Sequence, residues 1–200
     1  MKENKKISLF INSATKALQL GLLYGEEKFK TELSDPKKAL ESMHLGMQKL
    51  FVEASVSLRD VDAFYLLLGP GSNTGIRLGL TIPRTIYAFN PNIELYGIPT
   101  LELFMQKGEH AALSDRNGNL YYGSKEGEKT SFVRVDKETI PSIRDSDVVI
   151  EKKDAMANEE LKGRNIIAID VLDLMMEKKE KFRDFSMDEE DFLPEYLLKI

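Results

Sequence analysis

A run of apolar residues, 63–68 (AFYLLL), leads straight into a segment rich in glycine, 69–80 (GPGSNTGIRLGL), and this junction constrains the fold more than any other part of the chain. A strand-length run with no polar alternation needs cover on both faces, which places it in the interior of a sheet. The glycines that follow, ahead of a helix, have two physical explanations. They can let backbone N–H groups and the helix N-terminus point at an anion. They can equally build a tight turn through positive φ and close packing. The sequence leaves both open, but it excludes the common motifs. Gly75 is followed by Ile76 and Arg77 rather than Lys-Ser/Thr, so there is no Walker A loop, and the third glycine falls one residue too late for the dinucleotide fingerprint. Ser72 is not centred in Gly-x-Ser-x-Gly, so there is no nucleophile elbow. Arg77, one turn into the helix, is placed to meet an anion, a carboxylate of this chain or a partner.

Upstream, apolar runs 7–11 and 18–23 flank the polar segment 12–16, predicting a hairpin with a Ser/Thr-rich turn, and residues 27–31 supply a third strand. Asp35-Pro36 offers an N-cap and a proline at the first helical position. Leu40, Met43, Met47, Leu50 and Ala54 then recur at helical spacing. Gly46 inside that helix costs about 1 kcal/mol relative to alanine, so it either permits close approach of another backbone or is simply tolerated. Residues 76–89 read as a helix that Pro83 should kink or interrupt. Residues 93–98 read as a strand, and Thr100 as the cap of a helix reaching Lys107. After Gly108 the chain turns more polar, with candidate strands at 111–114, 120–123, 132–135 and 166–169 and a helix over 171–181. That shift sets the expected boundary between a lobe of residues 1–108 and a smaller, less regular one of residues 109–200. No internal repeat is visible.

Composition narrows the chemistry. The 200 residues contain no cysteine, which excludes thiol catalysis, disulfides and thiolate metal sites. His44 and His110 stand far apart with no His-x-x-x-His pair, against a zinc or iron site on helical histidine spacing. The formal net charge is -5 and basic residues are interleaved with acids, as in 177–184, which argues against high-affinity nucleic-acid binding by this chain alone. The run 7–11 is too short for a signal-peptide core or a membrane span, so the expectation is a cytoplasmic location and no membrane.

GPGSNTGIRLGL resembles the segment GPGSFTGxRxGL of the TsaB (YeaZ) family, with Asn73 at the usual aromatic position. Other segments match in order. FINSATKALQLGL (10–22) is similar to the family's opening xIDTATEAxSVAL, and SLRDVDAFYLLLGPG (57–71) to its approach to the glycines. LSDRNGNLYYG (113–123) is similar to IDARRGEVYY, sharing Arg116, Gly118, Tyr121 and Tyr122, and FLPEYLLK (192–199) to the closing PxYLR. The resemblance implies an α/β fold of the actin, hexokinase and Hsp70 (ASKHA) superfamily, with two related lobes of which the second is reduced.

It also implies a role through association. TsaB proteins pair with the catalytic TsaD-type subunit, which transfers threonylcarbamoyl to the tRNA adenosine beside the anticodon, and a TsaE-type ATPase joins them. This chain would then be an accessory subunit rather than an enzyme, meeting tRNA only through the complex, with a homodimer also possible. The contact surface would lie on the two helices of the first lobe, here residues 35–54 and 74–89, with Met43, Gly46, Met47, Arg77, Gly79, Ile82 and Ile86 as its candidates. Where catalytic members carry aspartates, this chain has Asn12 and Ser114, neutral groups that weaken any magnesium site. Asp115 is adjacent, but strand alternation points it to the face opposite Ser114. A glycine-rich adenosine loop is missing, since Gly163 is the only glycine after Gly127. Asn12, Ser13, Gly69, Gly71, Ser72, Thr74, Gly75 and Ser114 therefore form a degenerate phosphate loop, with no catalytic residue, metal or cofactor expected. Two other readings compete: a small nucleotide-binding phosphotransferase of the same superfamily, and a homodimeric scaffold. A peptidase, the label such sequences sometimes receive by homology, would need metal ligands, a cysteine or a nucleophile paired with a base, and none is recognisable.

Overall fold

The computed structural model describes residues 5–33, 39–115, 119–127, 129–136, 147–186 and 192–194. The Asp35-Pro36 cap, Arg116, Gly118 and residues 195–199 of the closing motif lie outside them. Strands β1 (Ile7–Asn12), β2 (Leu18–Tyr24) and β3 (Glu27–Leu33) form an antiparallel meander. Strands β4 (Ala63–Leu67) and β5 (Glu94–Ile98) extend it beyond β1 in parallel. The parallel steps need crossovers. Helices α1 (Ala39–Glu53) and α2 (Asn73–Phe89) supply them, and α3 (Thr100–Phe104) leads out.

A second sheet follows, from β6 (His110–Ser114), β7 (Leu120–Glu126), β8 (Lys129–Val135), β9 (Val148–Glu151) and β10 (Ile166–Ile169). Helix α4 (Ala155–Glu160) joins β9 to β10, and α5 (Val171–Glu177) follows β10. The strand order β10-β9-β6-β7-β8 repeats the order β5-β4-β1-β2-β3, including which neighbours are parallel. The two halves thus share one topology that residue identities do not reveal. The chain then returns to the first sheet. Its last strand, β11 (Arg183–Asp184), pairs antiparallel with β5, so the segment expected to form only the second lobe completes the first sheet.

The layers follow from strand alternation. On one face of the first sheet, Leu20 lies beneath α1, where a side chain on Gly46 would meet Leu33 Cδ2 at 2.5 Å and Leu20 Cδ1 at 3.0 Å. On the same face, Ile11 and Leu66 lie under Gly79 of α2. The opposite face carries a ladder of stacked rings from register-matched positions, Phe10 on Tyr65 at 4.5 Å and Tyr65 on Tyr96 at 4.7 Å, with Phe182 edge-on to Tyr65. Gly21, paired with Phe10, leaves room for Met176 and Leu172 of α5. Helices α3 and α5 lie between the sheets, and Gly123 of β7 meets Leu101 of α3. Beyond the second sheet, α4 covers a small cluster of Ala112, Leu120, Val148, Ile150, Ala157 and Leu161. One large cluster holds nearly all the rest, running from Leu9 and Phe64 to Ala111, Val149 and Met175. Burying each large apolar side chain is worth roughly 1.5–3 kcal/mol. Among the described residues no helix is long and apolar enough to cross a membrane.

Three local expectations change. Helix α2 starts at Asn73 rather than 76, because the Ser72 hydroxyl accepts the Gly75 N–H at 3.2 Å and caps it. It also runs through Pro83, whose ring is buried with Ile76, Gly79 and Leu80, so packing on the sheet offsets the one lost bond. Helix α3 is capped at Pro99 and ends at Phe104, and Thr100 instead lies in its first turn, its N–H donating to Gly69 O at 2.7 Å. The Thr100 hydroxyl is buried with no partner among the described residues.

Candidate functional site

Where the two sheets meet, the carboxyl end of β9 is tied to the β1–β2 loop through Glu151, and most of the polar positions singled out from the sequence lie at strand carboxyl ends or in the turns that follow them. The glycine turn leaves β4 through Gly69 at φ +117 and a cis Gly69–Pro70 bond. The Ser72 N–H donates to Ala14 O at 2.7 Å, tying the turn to the β1–β2 loop. A side chain on Gly71 would fall on that same Ala14 oxygen, one on Gly75 on Ser13 O, and one on Gly79 on the Ser13 hydroxyl. The three glycines are spaced four apart and line the face of the turn and helix that rests on residues 13–14. Close backbone approach accounts for them, the second of the two explanations the sequence left open. Thr74 is exposed beside Gly75 at the start of α2.

Across the β1–β2 loop, Asn12 is fully buried. Its amide donates to Thr15 Oγ1 at 2.8 Å and Gln19 Oε1 at 3.1 Å, and Gln19 Nε2 donates to Asp170, the cap of α5, at 3.2 Å. Thr15 Oγ1 in turn donates to Glu151 Oε1 at 2.8 Å. Glu151 ends β9, is buried, and also accepts the Lys16 and Ala17 N–H groups. Burial pushes its carboxyl above the ordinary glutamate range; the three donors oppose that push and the nearby Asp154 adds to it.

In the second half, Ser114 binds Asp154 through both its N–H at 2.7 Å and its hydroxyl at 2.5 Å. Asp154 also caps α4 by accepting the Ala157 N–H. Asp115 lies on the other face, as alternation requires, and is paired with Arg134 at 2.6 Å. That face, shared with Leu113 and Tyr121, looks toward α3 and the first sheet. It is therefore Asp115, not Ser114, that shares the inter-sheet orientation of Asn12. No group of three or more His, Cys, Asp or Glu side chains among the described residues is arranged to hold a metal ion.

A family model described as TsaD, tRNA N6-adenosine threonylcarbamoyltransferase, matches residues 37–182. The chain belongs to this family. Its relatives include an "Uncharacterized protein MG208 homolog" of Mycoplasma pneumoniae, 34% identical over 110 residues, or 52% of this chain and 54% of that protein. A second is the tRNA threonylcarbamoyladenosine biosynthesis protein TsaB of Buchnera aphidicola subsp. Schizaphis graminum, 27% identical over 108 residues, or 46% of this chain and 51% of that one. The chain thus spans about half the length of these curated relatives. The solved structure of YeaZ from Pseudomonas aeruginosa superposes with a TM-score of 0.68 at 18% identity, over 96% of this chain and all of that one. The crystal structure of an uncharacterized protein with similarity to peptidase YeaZ from Pseudomonas aeruginosa gives 0.69 at 19% identity, over the same 96% of this chain. These superpositions show the expected mixed α/β architecture, here built on two sheets.

On this TsaD-family fold the seven positions expected to meet a partner separate by face. Met43 is fully buried, Gly46 faces Leu33 and Leu20, and Gly79 faces Ser13, so these three pack on the chain's own sheet instead of facing outward. The physical reason is that a glycine in a helix lying on a sheet marks where the backbone comes closest to that sheet. Met47, Ile82 and Ile86 are half-buried and Arg77 is exposed. Leu40, expected in the buried stripe of α1, is 66% exposed, with Leu45 at 57% and Val52 at 80% on the same helix and Phe89 at 88% at the end of α2. The spacing of Leu45 and Val52, seven apart and off the stripe, is the sequence signal that would have found this outer face.

Proposed function

We propose that this chain is a non-catalytic partner subunit that binds and supports a TsaD-type threonylcarbamoyl transferase in modification of the tRNA adenosine next to the anticodon. In this reading it works in the cytoplasm with a TsaE-type ATPase in the same assembly, and it meets tRNA only through the complex. The supporting observation is the outer side of the two first-lobe helices. Four of the six large apolar side chains exposed among the described residues, Leu40, Leu45, Val52 and Phe89, belong to α1 and α2, and a concentration of exposed large apolar side chains on two helices favours association. The partner-binding positions are accordingly these four with Met47, Arg77, Ile82 and Ile86, rather than Met43, Gly46 and Gly79.

The inter-sheet face supports the non-catalytic half of the reading. There Asn12 is neutral and already engaged by Thr15 and Gln19, and Asp115 is paired with Arg134, while Ser114 on the other face is bound to Asp154. Calorimetry of the chain with the TsaD-type subunit of the same cell should give a stoichiometric complex, lost in a folded Leu45→Glu/Val52→Glu double variant. Undiminished binding by that variant would remove the assigned face. Tight stoichiometric uptake of ATP and magnesium by the chain alone would favour the phosphotransferase instead. Sedimentation of the chain alone distinguishes a homodimer that uses the same helices.

A further inference from the structure

Glu151 belongs to β9 in the second sheet, yet its carboxylate is seated in the β1–β2 turn of the first. Oε1 accepts the Thr15 hydroxyl at 2.8 Å and the Ala17 N–H at 2.9 Å, while Oε2 accepts the Lys16 N–H at 2.8 Å. The side chain is nearly inaccessible, at 2% exposure, and these contacts are dipoles, not a salt bridge. A buried carboxylate is costly unless hydrogen bonds compensate it, and here three consecutive residues of one turn supply part of that compensation. Successive N–H groups turned inward with a hydroxyl beside them form a concave anion nest. The turn is held in that shape from behind, since Thr15 Oγ1 is also bonded to Asn12, and Asn12 through Gln19 to Asp170.

We propose that residues 15–17 form an oxyanion-binding nest that the chain fills with its own Glu151. The carboxylate latches the second sheet to the first and excludes phosphate-bearing ligands from the nest. This holds for the isolated chain whatever its partner, so it neither needs nor tests the partner-subunit reading.

The nest uses two oxygens of a planar anion, a pattern that two oxygens of a phosphate reproduce. Removing the carboxylate as Glu151→Ala vacates the place of its four outer side-chain heavy atoms and leaves three donors without their acceptor, which an external oxyanion relieves. Glu151→Gln keeps the volume but turns an NH2 group toward the donors, and so should neither satisfy the nest nor open it.

Two-dimensional amide NMR during titration with inorganic phosphate, and separately with ATP, tests this. In the wild-type chain the Lys16 and Ala17 amides should not respond at millimolar anion. In Glu151→Ala they should shift saturably, and phosphate should raise its melting temperature but not that of the wild type or Glu151→Gln. A response to phosphate alone and an equal one to ATP assign the nest to the phosphate group; a response confined to ATP would overturn the simple oxyanion nest. Equal shifts in the wild type, or none in a folded Glu151→Ala, would also overturn it. If Glu151→Ala does not fold, hydrogen exchange on the wild type decides. Both amides should be protected although they sit in a turn, and rapid exchange rules the latch out.

Discussion

Asn12 stands where the resemblance places an aspartate, and its surroundings explain why the amide suits this chain better. Its NH2 group donates to both Thr15 and Gln19 inside a fully buried site. An aspartate there donates nothing, leaves the Gln19 carbonyl unpartnered, and adds negative charge close to Glu151. Asn12→Asp is therefore expected to destabilise the fold by about 3 kcal/mol, above the cost of one unsatisfied buried group, and to create no magnesium site. A urea melt with and without magnesium reads both, and a variant stabilised by the metal would show that only the charge was missing. Glu151 makes a second prediction, with a definite sign. Its carboxyl titrates above the ordinary value of 4.5 because burial outweighs its donors, so the folded chain holds that proton more readily than the unfolded one. Stability from this group is present below the ordinary value and falls as pH rises from there through the raised folded value. The stability of the wild type minus that of Glu151→Gln should accordingly shrink from acid toward neutral pH in paired urea melts. Growth of that difference would mean the three donors outweigh burial.

Among the elements, the glycines of α2 and its turn are packing devices with unequal tolerance. A methyl on Gly75 meets the Ser13 carbonyl, which cannot move without moving the β1–β2 loop, whereas a methyl on Gly21 meets side-chain ends alone, the flexible tip of Met176 first and then Leu172 Cδ1 at 3.0 Å. Gly75→Ala should cost about 3 kcal/mol and Gly21→Ala about 1 kcal/mol, the range for overpacking against stiff and yielding neighbours. Thermal melts of the two rank them, and equal losses would show that α5 is as immobile as the loop. The elements also explain what the sequence discloses. Strand β4 is legible because a run of apolar residues can be satisfied only between two covered faces, and α1 because its stripe repeats at helical spacing. Strand β9, only Val-Val-Ile-Glu between charged neighbours, is not, since what makes it a strand is pairing with β6 and β10. The two-residue β11 is a strand only because β5 is there to pair with it. Glu151 was missed for a related reason: its donors lie at the other end of the chain. The available hint was its place, an acid closing an apolar run at the carboxyl end of a parallel strand, where sites in open α/β sheets gather.

At the scale of the whole molecule, a repeated topology does not make two independent halves. The inner face of the first sheet, with the Phe10, Tyr65 and Tyr96 rings, is covered from beyond residue 108 by Leu172, Met176 and Phe182, and its edge at β5 by β11. Polar ties run the same way, from Glu151 to the β1–β2 loop and from Asp170 to Gln19. Exposed pairs, Lys30 with Asp173 and Lys153 with Glu32, add little to these. The apolar cluster is continuous through both sheets, so loss of one half strips the other of its cover. The chain should therefore unfold in a single transition, with the near-ultraviolet signal of the stacked rings and the far-ultraviolet signal of the backbone lost together. A fragment ending at residue 108, with those rings uncovered, should keep secondary structure without fixed packing and bind an apolar dye. Two separated melting transitions, or a fragment with a sharp cooperative melt, would show instead that the halves are autonomous and that α5 and β11 merely rest on a sheet that stands without them.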